Sequence, residues 1–177
     1  MRSKMILLPL VFLLGTDPGS WNADASKSKI EFSIKGMFGT VHGDFSGLKA
    51  TIRFDTKNPA AGSIAASVDA KTVSTGIGLR NHHLRSEEQF FNTDKYPTIS
   101  FRSKKIERTG NGYTVTGELT IKDVTRPVQI PFTFNPDGKT GVFKGQFKIQ
   151  RLDFHLGKPG GSIGDEVTIS LEVPVSQ

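Results

Sequence analysis

The chain has 177 residues, the length of one domain with a substantial core. Its charged fraction of 23% and hydrophobic fraction of 36% are ordinary for a soluble globular protein. The absence of cysteine excludes a disulfide framework and a thiolate metal site. The net charge of +6 is modest, and the basic residues mostly alternate with apolar ones. We therefore interpret them as a solvated sheet face and expect no nucleic-acid partner.

The first predicted element is a targeting segment. Arg2 and Lys4 give a positively charged start, and the apolar run 5–14 follows. This run is too short to span a membrane and is typical of a signal peptide. We predict a signal peptide over residues 1–19 with a cleavage site between 19 and 25, a folded domain over 21–177, and export to the periplasm or the medium.

Eight runs from residue 28 onward alternate apolar and polar residues with a period of two, which is typical of strands with one dry face. Their apolar positions, in chain order, are Ile30, Phe32 and Ile34; Leu48, Ala50, Ile52 and Phe54; Ile64, Ala66 and Val68; Ile99 and Phe101; Tyr113, Val115, Leu119 and Ile121; Val128, Ile130, Phe132 and Phe134; Phe143, Phe147 and Ile149; and Val167, Ile169, Leu171, Val173 and Val175. No amphipathic helix of useful length is available to cover a sheet. The strands must therefore bury their dry faces against one another, as a closed barrel or a sandwich.

Glycines recur at near-regular spacing between the first two runs, at Gly36, Gly39, Gly43 and Gly47. Glycine inside a strand marks a bend, a bulge or a close backbone approach, the features that curl a long sheet into a barrel. The other interpretation is a plain loop between two strands. The sequence leaves both open.

A long connection separates the third and fourth runs and concentrates aromatic residues. Phe90, Phe91, Tyr96 and Phe101 fall within twelve positions near its end. Loops seldom carry that much apolar surface unless they cover something. We predict that this connection covers an apolar interior and that Phe90 and Phe91 close it.

The same connection contains the spacing of a helix start. Ser86 is followed three residues later by Gln89, as in a capping box, and Glu87 and Glu88 would lie in the electropositive first turn. The spacing predicts a short helix that begins at Ser86.

Few residues could serve as a catalyst. His82 and His83 are adjacent and lack a partner histidine four residues away. Asp153 and His155 would share one strand face, where they could begin a metal site or orient a base. With four histidines and no cysteine, we expect no catalytic residue, no metal and no cofactor. An enzyme that uses His83 or the Asp153–His155 pair stays as an alternative.

Several short motifs, taken together, resemble the YceI-like family. They are the segments 74–76 (STG), 80–86 (RNHHLRS), 90–92 (FFN), 95–101 (KYPTISF), 117–121 (GELTI), 124–128 (VTRPV) and 164–167 (GDEV). The resemblance as a whole extends from residue 21 to residue 175. Asn81 and Asn92 depart from the family pattern, which often has aspartate there, and the segment between Ser86 and Phe90 is one residue longer.

The resemblance implies an all-β fold, an eight-stranded antiparallel lipocalin-like barrel with one long connection that carries a short helix. It also implies a periplasmic protein that binds and carries or stores a long-chain isoprenoid or related amphiphilic lipid, such as a quinone, a polyprenol or a fatty amide. The strand pattern alone does not decide what occupies the interior, because an eight-stranded barrel is either filled by side chains or holds one small ligand. A packed scaffold for protein–protein interaction is therefore a second alternative.

The candidate ligand-binding residues form two groups. Those expected to line the interior are Phe32, Ile34, Phe45, Ile52, Phe54, Leu84, Phe90, Phe91, Phe101, Phe132, Phe143 and Phe147. Those expected to meet the head of a lipid at the mouth are Arg80, Asn81, His83, Tyr96 and His155. Transient membrane contact and a homodimer stay open as further interactions.

Overall fold

The computed structural model describes residues 19–177 and contains ten β-strand segments and one α-helix. The predicted signal segment lies outside the described residues, apart from its last position. The strands are β1 (Ser20–Ala23), β2 (Lys29–Gly36), β3 (Gly39–Phe45), β4 (Lys49–Arg53), β5 (Ser63–Asp69), β6 (Thr98–Thr109), β7 (Gly112–Ile121), β8 (Val124–Asp137), β9 (Thr140–Gln150) and β10 (Glu166–Ser176). The helix is α1 (Gly78–Ser86), and 3₁₀ turns occupy Pro59–Ala61, Ala70–Thr72 and Arg151–Phe154.

The ten segments form eight barrel strands, because the first two barrel strands are each broken once. β1 and β2 follow one another along one strand, and β3 and β4 follow one another along its neighbour, so that β1 pairs with β4 and β2 pairs with β3. Each later segment pairs with the next, from β4 to β10. β10 then pairs with both β2 and β1, which closes an antiparallel eight-stranded barrel. The predicted fold class is confirmed.

Local chemistry explains the break between β1 and β2. Asp24 Oδ1 accepts hydrogen bonds from Ser26 N at 3.1 Å, Ser26 Oγ at 2.6 Å and Lys27 N at 3.2 Å, an Asx turn. The hydrogen bond from Ser26, followed by that from Lys27, lowers the pKa of Asp24 to about 2 because these groups favour the charged carboxylate. The turn ends β1 and lets β2 start along a new direction.

The glycine-rich segment is a strand rather than a loop. Residues 39–45 form β3, which pairs in register with β2 from the Ile30–Phe45 pair to the Gly36–Gly39 pair. Gly43 is required there, because a Cβ at this position would collide with the Phe32 ring and the Ser74 carbonyl oxygen. The interpretation that places glycine inside a strand at a close backbone approach therefore holds at Gly43.

The prediction that a helix begins at Ser86 was wrong, because the helix ends there. Ser86 is the last residue of α1, and its Oγ donates to the His82 carbonyl oxygen at 2.9 Å. Glu87 is the C-cap, and its N–H bonds the His83 carbonyl at 3.1 Å. His83 and Arg85 lie in the last turn, where basic residues suit the negative end of the helix dipole. A serine side chain can bond backbone groups at either end of a helix, so the spacing from Ser86 to Gln89 did not decide whether the helix follows or precedes Ser86.

One end of the barrel is closed by aromatic rings. This aromatic plug consists of Trp21, Phe54, Tyr113, Phe132, Phe134 and Phe143, whose neighbouring ring centroids lie 4.2–5.8 Å apart. The indole Nε1 of Trp21 donates to the Phe54 carbonyl oxygen at 2.9 Å, which satisfies its only polar atom in the core. The plug forms the floor of the barrel interior, and Phe132 and Phe143 also border the space above it.

Candidate functional site: an apolar cavity above the aromatic plug

The barrel above the plug is hollow. The cavity has a volume of about 520 Å³, within the usual range of ligand pockets, roughly 300–1,000 Å³. Its wall is built from the inward positions of the strands, including Ile30, Phe32, Ile34, Ile52, Ile64, Ala66, Val68, Ile99, Phe101, Val115, Leu119, Ile121, Ile130, Phe132, Phe143, Phe147, Ile149, Val167, Ile169, Leu171 and Val173. Since these positions alternate with polar outward residues, the period-two pattern alone makes the lining apolar.

Most predicted lining residues lie in the cavity wall. The strands contribute Phe32, Ile34, Phe45, Ile52, Phe101, Phe132, Phe143 and Phe147. Phe54 does not line the cavity: its ring is 1% exposed and lies inside the plug, in contact with four other aromatic rings. Phe54 points inward, as expected, but it follows the last residue of β4 and lies in the plug, away from the cavity wall.

The long connection between β5 and β6 lies across the mouth and is fastened at both of its ends. Ala70 N donates to the Pro97 carbonyl oxygen at 2.8 Å. Lys71 Nζ lies 2.9 Å from Asp94 Oδ1, and the hydrogen bond and charge of Asp94 raise the pKa of Lys71. Thr93, almost fully buried, donates its N–H to the Arg85 carbonyl at 2.7 Å. These bonds hold the connection as a compact cap.

Three apolar side chains of the connection, Leu84, Phe90 and Phe91, reach the cavity, and we call them the lid. Phe91 N donates to the Leu84 carbonyl oxygen at 3.0 Å, which holds the two parts of the lid together. The Phe91 ring packs edge-on against Phe45 with centroids 5.6 Å apart, and Phe45 packs on Phe32 at 5.7 Å. The lid therefore continues the aromatic lining of the wall across the mouth.

Of the polar residues predicted at the mouth, Arg80 and His83 border the cavity, together with Thr75. Arg80 is half-buried, and His83 Nδ1 lies 3.8 Å from Glu87 Oε1. Asn81 does not reach the cavity. Its Oδ1 accepts hydrogen bonds from Thr75 N at 2.8 Å and Thr75 Oγ1 at 2.7 Å, so it fixes the loop before α1 instead.

Tyr96 and His155 also lie away from the cavity wall. The Tyr96 hydroxyl lies 3.3 Å from Asp123 Oδ2 on the outer surface. His155 has φ 54° and caps the 3₁₀ turn that contains Asp153, with both side chains exposed. The predicted strand face shared by Asp153 and His155 does not exist, because β9 ends at Gln150.

Arg151 was missed by the sequence analysis. It is 6% exposed, borders the cavity, and donates to the carbonyl oxygens of Leu156 at 2.7 Å, Lys158 at 3.1 Å and Gly164 at 2.9 Å. It also pairs with Asp165 Oδ1 at 2.8 Å. Arg151 thus organises the loop between β9 and β10. In the sequence, Asp165 of the 164–167 motif was the one residue that could have indicated a partner for Arg151.

The Arg151 loop reaches the lid segment through the backbone. Gly157 N donates to the Gln89 carbonyl oxygen at 2.5 Å, next to Phe90. Gly157 has φ +79°, and a Cβ there would lie 2.5 Å from Arg151 Nη1. Only glycine fits a position that is both left-handed and this close to the guanidinium.

The site offers apolar burial with a polar fringe. Within residues 19–177, no three His, Cys, Asp or Glu side chains come together as a metal ion would require. A search of the same residues for a helix long and apolar enough to cross a membrane finds none. An apolar molecule would be held in the cavity chiefly by the hydrophobic effect, with any polar end near Arg80 and His83.

A closed antiparallel barrel with a covered apolar cavity defines the lipocalin-like class of binding barrels. The YceI-like domain model matches residues 21–175, and the chain belongs to this family. A UPF0312 protein of Yersinia enterocolitica is 33% identical over 151 residues, covering 81% of this chain and 78% of the relative. Protein YceI of an Escherichia coli strain is 32% identical over the same length and shares.

Solved structures show the same barrel. The crystal structure of Burkholderia cenocepacia BcnA matches with a TM-score of 0.83 and 30% identity, covering 88% of this chain and 100% of that one. A polyisoprenoid binding domain from Saccharophagus degradans matches with a TM-score of 0.68 and 18% identity over 88% of this chain and 97% of that one. The second likeness concerns the fold alone.

Proposed function

We propose that this protein binds a long-chain isoprenoid or a related amphiphilic lipid inside the barrel and carries or stores it. The observation that supports the proposal most directly is the 520 Å³ cavity with an apolar wall and an aromatic lid. Membership of the YceI-like family agrees with it, and a domain of the same fold is described as polyisoprenoid-binding. A packed scaffold is disfavoured, since such a barrel would have side chains where this one has a hollow.

The hydrophobic effect is sufficient for binding at this site. Each methylene transferred from water to the cavity contributes about 0.8 kcal/mol. Part of this is offset by the entropy lost when a flexible chain is ordered and when two molecules associate. Selectivity would then depend on the length of the cavity and on the head group that meets Arg80 and His83.

The carrier role agrees with the positions of the candidate catalytic groups. The Asp153–His155 pair lies outside the cavity, so that of the candidate catalytic groups only His83 borders it. His83 is about half exposed, and Glu87 at 3.8 Å is beyond hydrogen-bond distance. General acid–base chemistry needs a better-oriented pair, which favours binding and transport over catalysis.

The periplasm or the medium is the proposed location. The predicted signal at residues 1–19 supports export, and the position of Trp21 supports a cut before Ser20. Trp21 is 6% exposed in the aromatic plug, and β1 closes the barrel by pairing with β10 and β4. A cut at position 25 would remove both contributions.

The proposal is tested by filling the cavity. Ala66 lines the cavity, whereas Ala65 lies on the opposite face of β5 and does not. In Ala66→Phe the added ring should occupy ligand space and lower the isoprenoid retained by protein purified from its own host by about tenfold or more. Native mass spectrometry with lipid extraction measures the bound fraction.

The matched control is Ala65→Phe, which adds the same ring on the outer face and should retain the wild-type amount of lipid. Urea unfolding checks that both variants are folded. Equal lipid in the two variants, or no co-purified isoprenoid in the wild type, would overturn the proposed function.

A further inference from the structure

The large apolar side chains that face water are confined to the mouth of the barrel. Among the described residues these are Met37 at 65% exposure, Phe38 at 98%, Ile77 at 49%, Leu79 at 68% and Ile163 at 46%, and we call them the apolar rim. They belong to three segments: the β2–β3 turn, the start of α1, and the loop between β9 and β10. No residue of the plug belongs to this set.

Contacts and cavity positions tie the three segments to one opening. Gly36, next to the β2–β3 turn, and Ile163 both border the cavity, as does Arg80, which follows Leu79. The loop meets the hairpin directly, since Gly164 N donates to the Lys35 carbonyl oxygen at 2.7 Å. The apolar rim therefore surrounds the opening through which a ligand would pass.

The β2–β3 turn is the clearest member. Met37 and Phe38 form a two-residue turn between the paired residues Gly36 and Gly39. Polar sequences such as Asn-Gly usually occupy such turns. Here the Phe38 ring projects into water, where an apolar surface is unfavourable unless a partner covers it.

The charges beside the apolar rim are basic and unpaired. Lys35 and Lys158 are exposed, and Arg80 is half-buried; within residues 19–177 none of the three side chains forms an ion pair. A cluster of lysine and arginine around exposed apolar residues is the composition that suits an anionic lipid surface.

Some acidic side chains near the mouth are engaged, whereas Asp153 of the loop between β9 and β10 and Glu88 of the lid segment are exposed and form no ion pair within residues 19–177. Asp165 pairs with Arg151 at 2.8 Å, and Glu166 pairs with Lys148 at 2.7 Å on the barrel wall. Glu87 accepts a hydrogen bond from Gln89 at 2.6 Å. The three basic side chains Lys35, Arg80 and Lys158 therefore outnumber the two exposed carboxylates, and the mouth keeps a positive excess.

We propose that the apolar rim docks on an anionic lipid bilayer, with Phe38 and Met37 inserted among the lipids and Lys35, Arg80 and Lys158 against the head groups. The cavity then opens onto the membrane, and an apolar ligand passes between the two without crossing water. The passage of ligand rests on the proposed function, whereas the docking surface does not need a ligand.

Docking is measured by flotation of the purified protein with vesicles of phosphatidylcholine, with and without phosphatidylglycerol. The wild type binds the anionic vesicles and binds the neutral ones less. Phe38→Ser lowers the bound fraction on anionic vesicles by about tenfold. Because Phe38 is 98% exposed, its replacement leaves the urea unfolding curve unchanged.

Charge is tested with a matched pair of variants. Lys35→Glu with Lys158→Glu reverses two charges at the mouth and abolishes the preference for phosphatidylglycerol. Lys57→Glu with Lys139→Glu makes the same change in net charge on exposed loops at the plug end and keeps the preference. Equal losses in both double variants would show a non-specific charge effect and overturn the docking surface.

Ligand exchange separates this inference from the proposed function. With docking, the rate of isoprenoid transfer to vesicles rises with vesicle concentration, and Phe38→Ser slows it by about tenfold without changing the amount bound at equilibrium. A wild type that carries isoprenoid but transfers it at a rate independent of vesicles overturns docking alone. A wild type that floats with anionic vesicles but carries no isoprenoid overturns the proposed function alone.

Two further outcomes overturn the docking surface. One is a wild type that fails to float with anionic vesicles. The other is a wild-type dimer in sedimentation that becomes a monomer in Phe38→Ser, which would show that a second copy of the chain covers the apolar rim.

Discussion

The two ends of the barrel use the same kinds of residue to opposite effect. At the plug end, rings from β1, β7, β8 and β9 converge on Phe54, which follows β4, and neighbouring ring centroids lie 4.2–5.8 Å apart. At the mouth end, aliphatic side chains and separated rings line a 520 Å³ hollow. An apolar lining therefore does not by itself distinguish a core from a binding site; the difference is whether opposite walls meet.

Strand pairing explains why the walls meet at only one end. At the plug end, β1 pairs with both β10 and β4, so the barrel is closed by backbone hydrogen bonds. Toward the mouth, the pairing of β4 with β5 stops at Lys49 and Ser67. Beyond it, the edge of β3 that faces away from β2 meets the long connection, through the reciprocal backbone bonds between Asp44 and Ser74 at 2.9 and 3.0 Å. A loop, rather than a strand, completes the wall there.

The largest expected effect is on stability and lies in the plug. Phe54→Ala removes a ring that is 1% exposed and contacts four other rings, and we expect it to lower the free energy of unfolding by about 3–5 kcal/mol. Phe91→Ala in the lid should cost less than half of that, because its ring is only partly buried. Urea unfolding of both variants measures the difference, and equal losses would contradict the contrast between the two ends.

The next effect concerns the loop beside the mouth. Arg151→Met leaves four backbone carbonyl oxygens and Asp165 without their donor, and we expect a loss of about 2–4 kcal/mol in the free energy of unfolding. Hydrogen exchange should become faster across residues 156–165. The control is Arg126→Met, an exposed arginine with one hydrogen bond of 3.3 Å, which should change both quantities little. Unchanged exchange in Arg151→Met would show that the loop is held by other contacts.

The last prediction concerns the lid, where the expected effect on ligand retention exceeds the effect on stability. Replacing both Phe90 and Phe91 by alanine should lower lipid retention by about tenfold while costing less stability than Phe54→Ala, because both side chains border the cavity and are only half-buried. Lipid extraction and urea unfolding of the same samples measure the two quantities. Leucine at both positions keeps apolar bulk and should retain most of the lipid. Unchanged lipid in the double alanine variant would remove the lid role.

Period-two alternation was enough to predict the strands, because the pleat makes successive side chains point to opposite sides whatever the rest of the chain does. The same rule predicted which phenylalanines point inward. It could not tell that Phe54 lies in the plug whereas Phe132 also borders the cavity, since depth along the barrel depends on strand register and tilt. The lid was predictable because Phe90 and Phe91 stand in a connection, where apolar residues are unusual.

Three features of the site needed the fold. β1 has four residues and no readable alternation, and its place is decided by pairing with strands that are distant in sequence. The position of α1 before Ser86, rather than after it, could not be read from the sequence, because Ser86 suits either end of a helix. Arg151 looks like any surface arginine until the loop from residue 156 to residue 165 folds around its guanidinium.

The amino-acid sequence by itself determined that this protein is built from strands with one apolar face and that an aromatic connection covers its interior, because alternation, turn residues and aromatic residues in a connection are local features. The choice of a closed barrel over a sandwich was implied only by the family resemblance. Only the tertiary structure decided that the interior is hollow above a ring-filled floor and that five apolar side chains surround the opening. Those properties depend on distances between strands far apart along the chain, and no local pattern contains such distances.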